Sequence, residues 1–138
     1  MLKPTLNSGQ IPVQLNTSIT NFERAEGTPW LLQLADQQGV YFPKIVEITY
    51  LEADGNYTTV HFCNGESRVV CRTLRELEEK LEHCGFLRVH HSYLINLAHV
   101  LAYLREEGGT IVLQGGGKVY LSRSHRAAFF TAMEDRAC

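Results

Sequence analysis

The sequence lacks the features that mark membrane, secreted and strongly nucleic-acid-binding proteins. Its 138 residues contain no apolar run near the roughly 20 residues that a membrane helix needs, and the N-terminus is too polar for a secretory signal. The four cysteines, Cys63, Cys71, Cys84 and Cys138, form no C-x-x-C pair, so free thiols are expected. The net charge of −2 argues against a generic nucleic-acid binder. These absences predict a soluble, cytoplasmic protein without structural disulfides.

Motifs for catalysis and for metal binding are also missing. The run GGGK at 115–118 lacks the spacing of a phosphate-binding loop, and no G-x-S-x-G sequence frames Ser92 or Ser122. His90 and His91 would point to opposite faces of a strand, and no zinc-ligand spacing surrounds them. We therefore expect no enzymatic activity, no metal site, no cofactor and no small-molecule substrate.

The composition favours one turn-rich β domain. Hydrophobic residues make up 44% of the chain, and 11 Gly stand against 4 Pro, with six Tyr and six Phe. Apolar segments alternate with turn signals, which predicts about ten short strands in local antiparallel hairpins. Beyond the turn at 54–55, alternation puts Thr58 and Val60 on one strand face and His61 on the other. The turn signals lie at 36–39, 54–55, 64–65, 108–109 and 115–117.

Two short helices are predicted as well. Thr73 and Glu76 have the spacing of a capping box, and Gly85 follows the apolar stripe where a left-handed C-cap is expected. Ser124 is placed to cap a second helix over residues 125–134. The expected fold class is therefore mainly β with two short helices.

Positive charge is concentrated in one part of the chain. Residues 86–126 hold five basic and two acidic residues, a net charge of +3, whereas the rest carries −5. Four of the six histidines also lie there. Donor-rich side chains in this window suit phosphate contact, although residue chemistry alone supports an ordinary solvated surface equally well. They form two clusters, one of Arg88, His90, His91 and Ser92, the other of Arg123, Ser124, His125 and Arg126.

Four ordered motifs carry a family resemblance. They are YLEADGNY at 50–57, RTLREL at 72–77, GFLRVHHSYLIN at 85–96 and LSRS at 121–124. In order and spacing, the chain resembles the LytTR (LytTR/AlgR/AgrA-type) DNA-binding domain of bacterial transcription regulators. The resemblance covers residues 30–132, which leaves 1–29 as an N-terminal arm or linker and 133–138 as a C-terminal tail.

The resemblance implies a fold and a mode of binding. Members of this family are elongated stacks of small antiparallel sheets with a short helix. They bind promoter DNA at paired direct repeats, through loops in the major groove, which suggests a second copy on the DNA. Thr58, His91 and Arg123 are expected to approach bases, whereas Asn96 is assigned mainly to structure. The candidate DNA-binding residues are Thr58, Arg88, His91, Ser92, Arg123, Ser124 and Arg126.

Two positions depart from the family pattern. His91 stands where the family often has Arg, and Ser124 stands where a second basic residue is common. Each change removes a permanent charge, which predicts weaker binding and a salt dependence that is shallower by about one unit per lost contact. Because an ordinary histidine is half charged near about pH 6.5, binding is expected to strengthen on mild acidification.

In this family the domain usually serves as the output domain of a response regulator, after a receiver domain that residues 1–29 are too short to supply. We expect a free-standing regulator or a fragment, with a membrane or sensor protein as a candidate partner.

Two other functions stay open on the sequence. The alternative function is an adaptor that binds a protein through the same fold. A thiol-based redox sensor would need an exposed thiol of low pKa, whereas Cys63, Cys71 and Cys84 are expected to be partly buried.

Overall fold

A computed structural model describes residues 29–138, so the predicted arm, except for Pro29, lies outside the described residues. Within them the chain forms ten β-strands and two α-helices, joined by hairpin turns and 3₁₀ turns. The strands form three small antiparallel sheets, which confirms the mainly β prediction. The elements are β1 (Leu34–Ala35), β2 (Val40–Tyr41), β3 (Ile48–Asp54), β4 (Tyr57–Phe62), β5 (Ser67–Val70), α1 (Leu74–Lys80), β6 (Phe86–His90), β7 (Tyr93–Asn96), β8 (Val100–Leu104), β9 (Thr110–Leu113), β10 (Lys118–Tyr120) and α2 (Arg126–Glu134).

Most strands pair with a neighbour in sequence. The larger sheet has the order β5-β4-β3-β7-β6, a second has the order β10-β9-β8, and β1 pairs with β2. Gly55 and Gly65 lie in the predicted hairpin turns on either side of β4, with φ angles of 64° and 91° that glycine adopts without a Cβ clash. At the β1–β2 turn, Asp36 Oδ1 accepts hydrogen bonds from the backbone N–H groups of Gln38 and Gly39. Local turn chemistry therefore sets the strand register.

The five-stranded sheet is covered on both faces. Consecutive residues of β7 show this, because Leu94 packs in a core with α1 and the β1–β2 hairpin, whereas Ile95 packs in a second core with α2 and the three-stranded sheet. Phe129 is the largest α2 side chain in the second core and is 1% exposed. The sheet thereby fixes both helices, and each of them also contacts the edge strand β6.

The capping box at the start of α1 is confirmed. Thr73 Oγ1 accepts a hydrogen bond from the Glu76 N–H at 3.2 Å, and Glu76 Oε1 accepts one from the Thr73 N–H at 2.9 Å. The bond from the Thr73 backbone lowers the pKa of the Glu76 carboxyl. Leu74 and Leu77 then face the first core.

Replacing Thr73 with Ala is expected to lower the free energy of unfolding by about 1 kcal/mol, since one N–H group at the start of α1 loses its acceptor. Urea unfolding followed by circular dichroism measures the change. Thr73→Ser keeps the hydroxyl and should stay within about 0.5 kcal/mol of wild type. An alanine variant as stable as the serine variant would contradict the assigned cap.

The predicted ends of the two helices need correction. Helix α1 ends at Lys80, and the buried Leu81 is its C-cap, so Gly85, with φ of 86°, lies at the entry to β6 instead. Ser124 does not cap α2, because a 3₁₀ turn over Arg123–His125 comes first and His125 takes the cap position without a side-chain cap bond.

Candidate nucleic-acid interface

Two turns from distant parts of the sequence lie side by side. The first is the β6–β7 turn, residues 90–92, and the second is the turn before α2, residues 122–126. The Ser122 N–H donates to the Val89 carbonyl at 2.9 Å, which joins the start of the second turn to the end of β6. We refer to residues 90–92 and 122–126 as the paired turns.

The paired turns expose cationic and polar side chains. His91, Arg123, Ser124 and Arg126 are exposed, and Ser92 is half-buried. None of the residues in the paired turns is acidic, and three of them are histidines. This composition suits an anionic partner such as a phosphate backbone. The structure therefore brings together five of the seven predicted site residues.

The two histidines of the first turn have different roles. The ring centroids of His90 and His91 are 4.3 Å apart, so the expectation that the two side chains point to opposite faces is wrong. The reason is that β6 ends at His90 and the chain turns there. His90 Nδ1 accepts a hydrogen bond from the Ser92 N–H at 3.0 Å. Burial lowers the pKa of His90, and the neighbouring His91, His125 and Arg88 add to this. His90 therefore stays neutral and supports the turn to a lower pH than an ordinary histidine would, whereas His91 faces solvent.

In the second turn, the His125 ring contacts two serine hydroxyls. Ser122 Oγ lies 2.5 Å from His125 Nδ1, and Ser124 Oγ lies 3.3 Å from both of these atoms. The Ser124 hydroxyl is thus placed at the surface beside Arg123 rather than over the start of α2. The position of Ser124 explains both the missing helix cap and its accessibility to a ligand.

Arg88 lies against the first of the paired turns, but its guanidinium is occupied by bonds within the protein. Its guanidinium bonds to Glu78 of α1 and to the carbonyl oxygens of His90 and His91. Glu78 is the residue that sequence reasoning missed. It lies ten residues before Arg88, on another element, and no local motif in the sequence connects the two.

Thr58 is in the protein interior, which overturns its expected contact with DNA. The side chain is 0% exposed, and Oγ1 donates to the Arg72 carbonyl at 2.7 Å. It shares a strand face with Val60, as alternation along β4 predicts. A side chain without exposed atoms cannot touch DNA, so Thr58 is not part of the candidate interface.

Asn96 is confirmed as a structural residue. Its side chain is buried, donates to the Ile48 carbonyl at 2.9 Å and accepts from the Ala98 N–H at 3.0 Å. These bonds connect β3, β7 and the turn that leads into β8. The amide therefore satisfies backbone groups rather than reading a ligand.

Cysteine exposure differs from the expectation for two residues. Cys63 and Cys71 are exposed and only Cys84, whose pKa is raised by burial, is half-buried. Both exposed residues lie at the ends of short strands, where the chain turns.

Across residues 29–138, no group of three or more His, Cys, Asp or Glu side chains could hold a metal ion. In the same part of the chain, no helix is long and apolar enough to span a bilayer.

Comparison with known proteins identifies the family of this chain. The family model of the LytTr DNA-binding domain matches residues 38–134. The CO-responsive transcriptional regulator RcoM of Rhodospirillum rubrum is 49% identical over 70 residues, which are 50% of this chain and 29% of that regulator. A solved LytTr DNA-binding domain from Bacillus cereus shares the fold, with a TM-score of 0.65 and 22% identity over 76% of this chain and 97% of its own. The chain belongs to the LytTr DNA-binding domain family.

Proposed function

We propose that this protein regulates transcription by binding promoter DNA through the paired turns, without catalysing a reaction. The observation that carries the proposal is the hydrogen bond from Ser122 to Val89, because it joins a histidine-rich turn to a turn with two arginines, and neither turn has an acidic residue. The exposed Arg123 and Arg126 suit contact with phosphates, and Arg123 is also suited to guanine recognition. Function in a bacterial cytoplasm follows from this role.

Charge separation supports the same orientation on DNA. The segment 86–126 carries a net charge of +3, whereas the rest of the chain carries −5. Both paired turns belong to the positively charged segment, which favours the approach of a duplex to them at low salt. The half-buried Ser92 supplements the contacts of His91, Arg123, Ser124 and Arg126 in this arrangement.

An adaptor function has a specific observation in its favour. The outer face of the β1–β2 hairpin exposes Leu31, Val40 and Phe42, the last of them 57% accessible. Exposed apolar side chains of this kind favour a protein partner, such as a sensor. Binding through them would depend little on salt, whereas DNA binding falls steeply as salt rises.

Selection from a pool of random duplexes tests the proposed function. Enrichment of a short sequence by the purified, folded protein supports it, and a pair of direct repeats would extend it to two copies on one site. The spacing between repeats then gives the relative placement of the copies. Failure to enrich any sequence, together with weak and salt-insensitive binding, would favour the adaptor function.

Replacing His91 with Arg is expected to strengthen binding to the selected duplex by up to about tenfold and to steepen the salt dependence by about one unit. Fluorescence anisotropy at matched pH and varied salt measures both effects. His91→Gln is the control, which should bind no more tightly than wild type and should not steepen the salt dependence. Unchanged affinity and salt slope in His91→Arg would place this turn outside the interface.

A further inference from the structure

The guanidinium of Arg88 connects α1 to the first of the paired turns. Its Nε donates to the His90 carbonyl at 2.9 Å and its Nη2 to the His91 carbonyl at 2.7 Å, while Nη1 donates to Glu78 Oε1 at 2.6 Å. The side chains of Arg88 and Glu78 are 24% and 40% exposed, so the ion pair is partly shielded from solvent. One planar group therefore makes three directed bonds, two of them to the turn itself.

A register shift in the β6–β7 pairing gives Arg88 this position. Arg88 pairs with Leu94 and His90 pairs with Tyr93, so Val89 has no partner in the ladder. Val89 instead packs in the second core, and its carbonyl accepts the Ser122 N–H. Such an irregularity redirects neighbouring side chains, and here the Arg88 side chain lies over the turn that follows its own strand.

The other polar groups of the turn are bound by different partners. The Ser92 N–H donates to His90 Nδ1, and the Ser92 carbonyl accepts the Ala53 N–H at 2.9 Å. The carbonyl groups of His90 and His91 have Arg88 as their side-chain partner. Loss of the guanidinium would release those two carbonyls and, with them, the backbone that carries the exposed His91 imidazole.

We propose that Arg88 and Glu78 form a clamp that positions His91 for DNA, and that Arg88 acts as a positioning residue rather than as a phosphate contact. The proposal rests on the proposed function of the paired turns. Glu78 orients the guanidinium from α1, a helix that contributes no residue to the paired turns. Lysine cannot replace arginine here, because one ammonium on a flexible stem does not reproduce the planar fork.

Glu78→Ala distinguishes a positioning role from a simple electrostatic effect, because the two predict opposite changes in DNA affinity. Removal of a negative charge near the interface should strengthen DNA binding if only charge matters. The clamp predicts weaker binding of the selected duplex, by about tenfold, with an unchanged salt slope. Glu79→Ala is the matched control on the same helix, since its ion pair with Arg75 is long, at 3.8 Å, and exposed. That control should bind as well as wild type or slightly better.

Arg88→Lys tests the same clamp from its other side. The positive charge is kept, so the clamp predicts a loss similar to that of Glu78→Ala, again without a change in salt slope. Wild-type affinity in Arg88→Lys, or stronger binding in Glu78→Ala, would overturn the proposal. A third outcome would also overturn the proposal: Arg88→Ala lowers the salt slope by about one unit, while Glu78→Ala leaves DNA affinity unchanged. Arg88 would then be a phosphate contact.

A measurement without DNA distinguishes failure of the clamp from failure of the proposed function. In wild-type protein the Arg88 Nε–H should exchange slowly with water by NMR, and Glu78→Ala should accelerate this exchange and shift the Ser92 amide. An equal exchange rate of the Arg88 Nε–H in wild type and in Glu78→Ala rejects the clamp, even if the protein binds DNA. Accelerated exchange in a protein that binds no duplex confirms that the clamp orders the turn and rejects its role in DNA binding. Thermal unfolding of each variant verifies that it is folded.

Discussion

Phe129→Ala is expected to lower the free energy of unfolding by about 3–5 kcal/mol, a large part of the stability of a domain of this size. The side chain is 1% exposed and lies in the second core between β6, β7 and the three-stranded sheet. Its ring centroid is 6.3 Å from that of Tyr103 and 5.2 Å from that of Phe130. Because Phe129 holds α2 on the sheet, its removal also loosens the turn that carries Arg123 and Arg126. Denaturant unfolding measures the first effect and DNA affinity the second.

Phe130→Ala is the matched control for this prediction. Phe130 belongs to the same helix but is 37% exposed, and it touches Tyr103 edge-to-face at 5.0 Å. Its loss should cost less than that of Phe129, about 1–2 kcal/mol, because the ring is partly exposed but takes part in two edge-to-face aromatic pairs. Equal destabilisation by the two alanine variants would contradict the assigned orientation of α2.

Arg123→Ala is expected to weaken binding to the selected duplex by about 1–3 kcal/mol, or roughly 5- to 150-fold. Arg123 is exposed in the second of the paired turns, where the bond between Ser122 and Val89 brings it beside the first turn. If Arg123 contacts a base, the loss should be greatest on the selected sequence and should relax the preference at one position. If it contacts a phosphate, the loss should be similar on all sequences and the salt slope should fall by about one unit.

Arg136→Ala removes the same charge from a place outside the proposed interface. Arg136 lies beyond the C-terminal end of α2, whose 9 residues are about 13 Å long along the helix axis. Its replacement should change affinity by less than about twofold at physiological salt, since the charge is more than a Debye length away. Equal losses in Arg123→Ala and Arg136→Ala would show that total charge, rather than this turn, determines binding.

Local chemistry explains why much of the fold could be predicted from the sequence. The hairpins at Gly55 and Gly65 and the capping box at Thr73 depend on residues within a few positions of each other, and all of them are confirmed. Helix ends were less predictable. Gly85 and Ser124 have suitable residue types, but the buried Leu81 and the 3₁₀ turn before α2 set the ends instead. Tertiary packing thus overrides local capping preferences at both places.

The candidate site was predictable only in part. Donor-rich clusters predicted His91, Arg123 and Arg126, and the structure brings the two turns that carry them together. Alternation along β4 had already placed Thr58 with the core residue Val60, so the strand pattern was a better guide to Thr58 than the family position. The hydrogen bond of Arg88 to Glu78 joins two separate elements, and such pairs across elements leave no periodic signal in a single sequence.

Backbone amide NMR during titration with the selected duplex tests the central claim most directly. If the paired turns bind DNA, the largest shift changes fall on residues 90–92 and 122–126, and they diminish as salt is added. The outer face of the β1–β2 hairpin, with Leu31, Val40 and Phe42, should show little change. Changes centred on that hairpin, with residues 90–92 and 122–126 unaffected, would contradict the proposed interface.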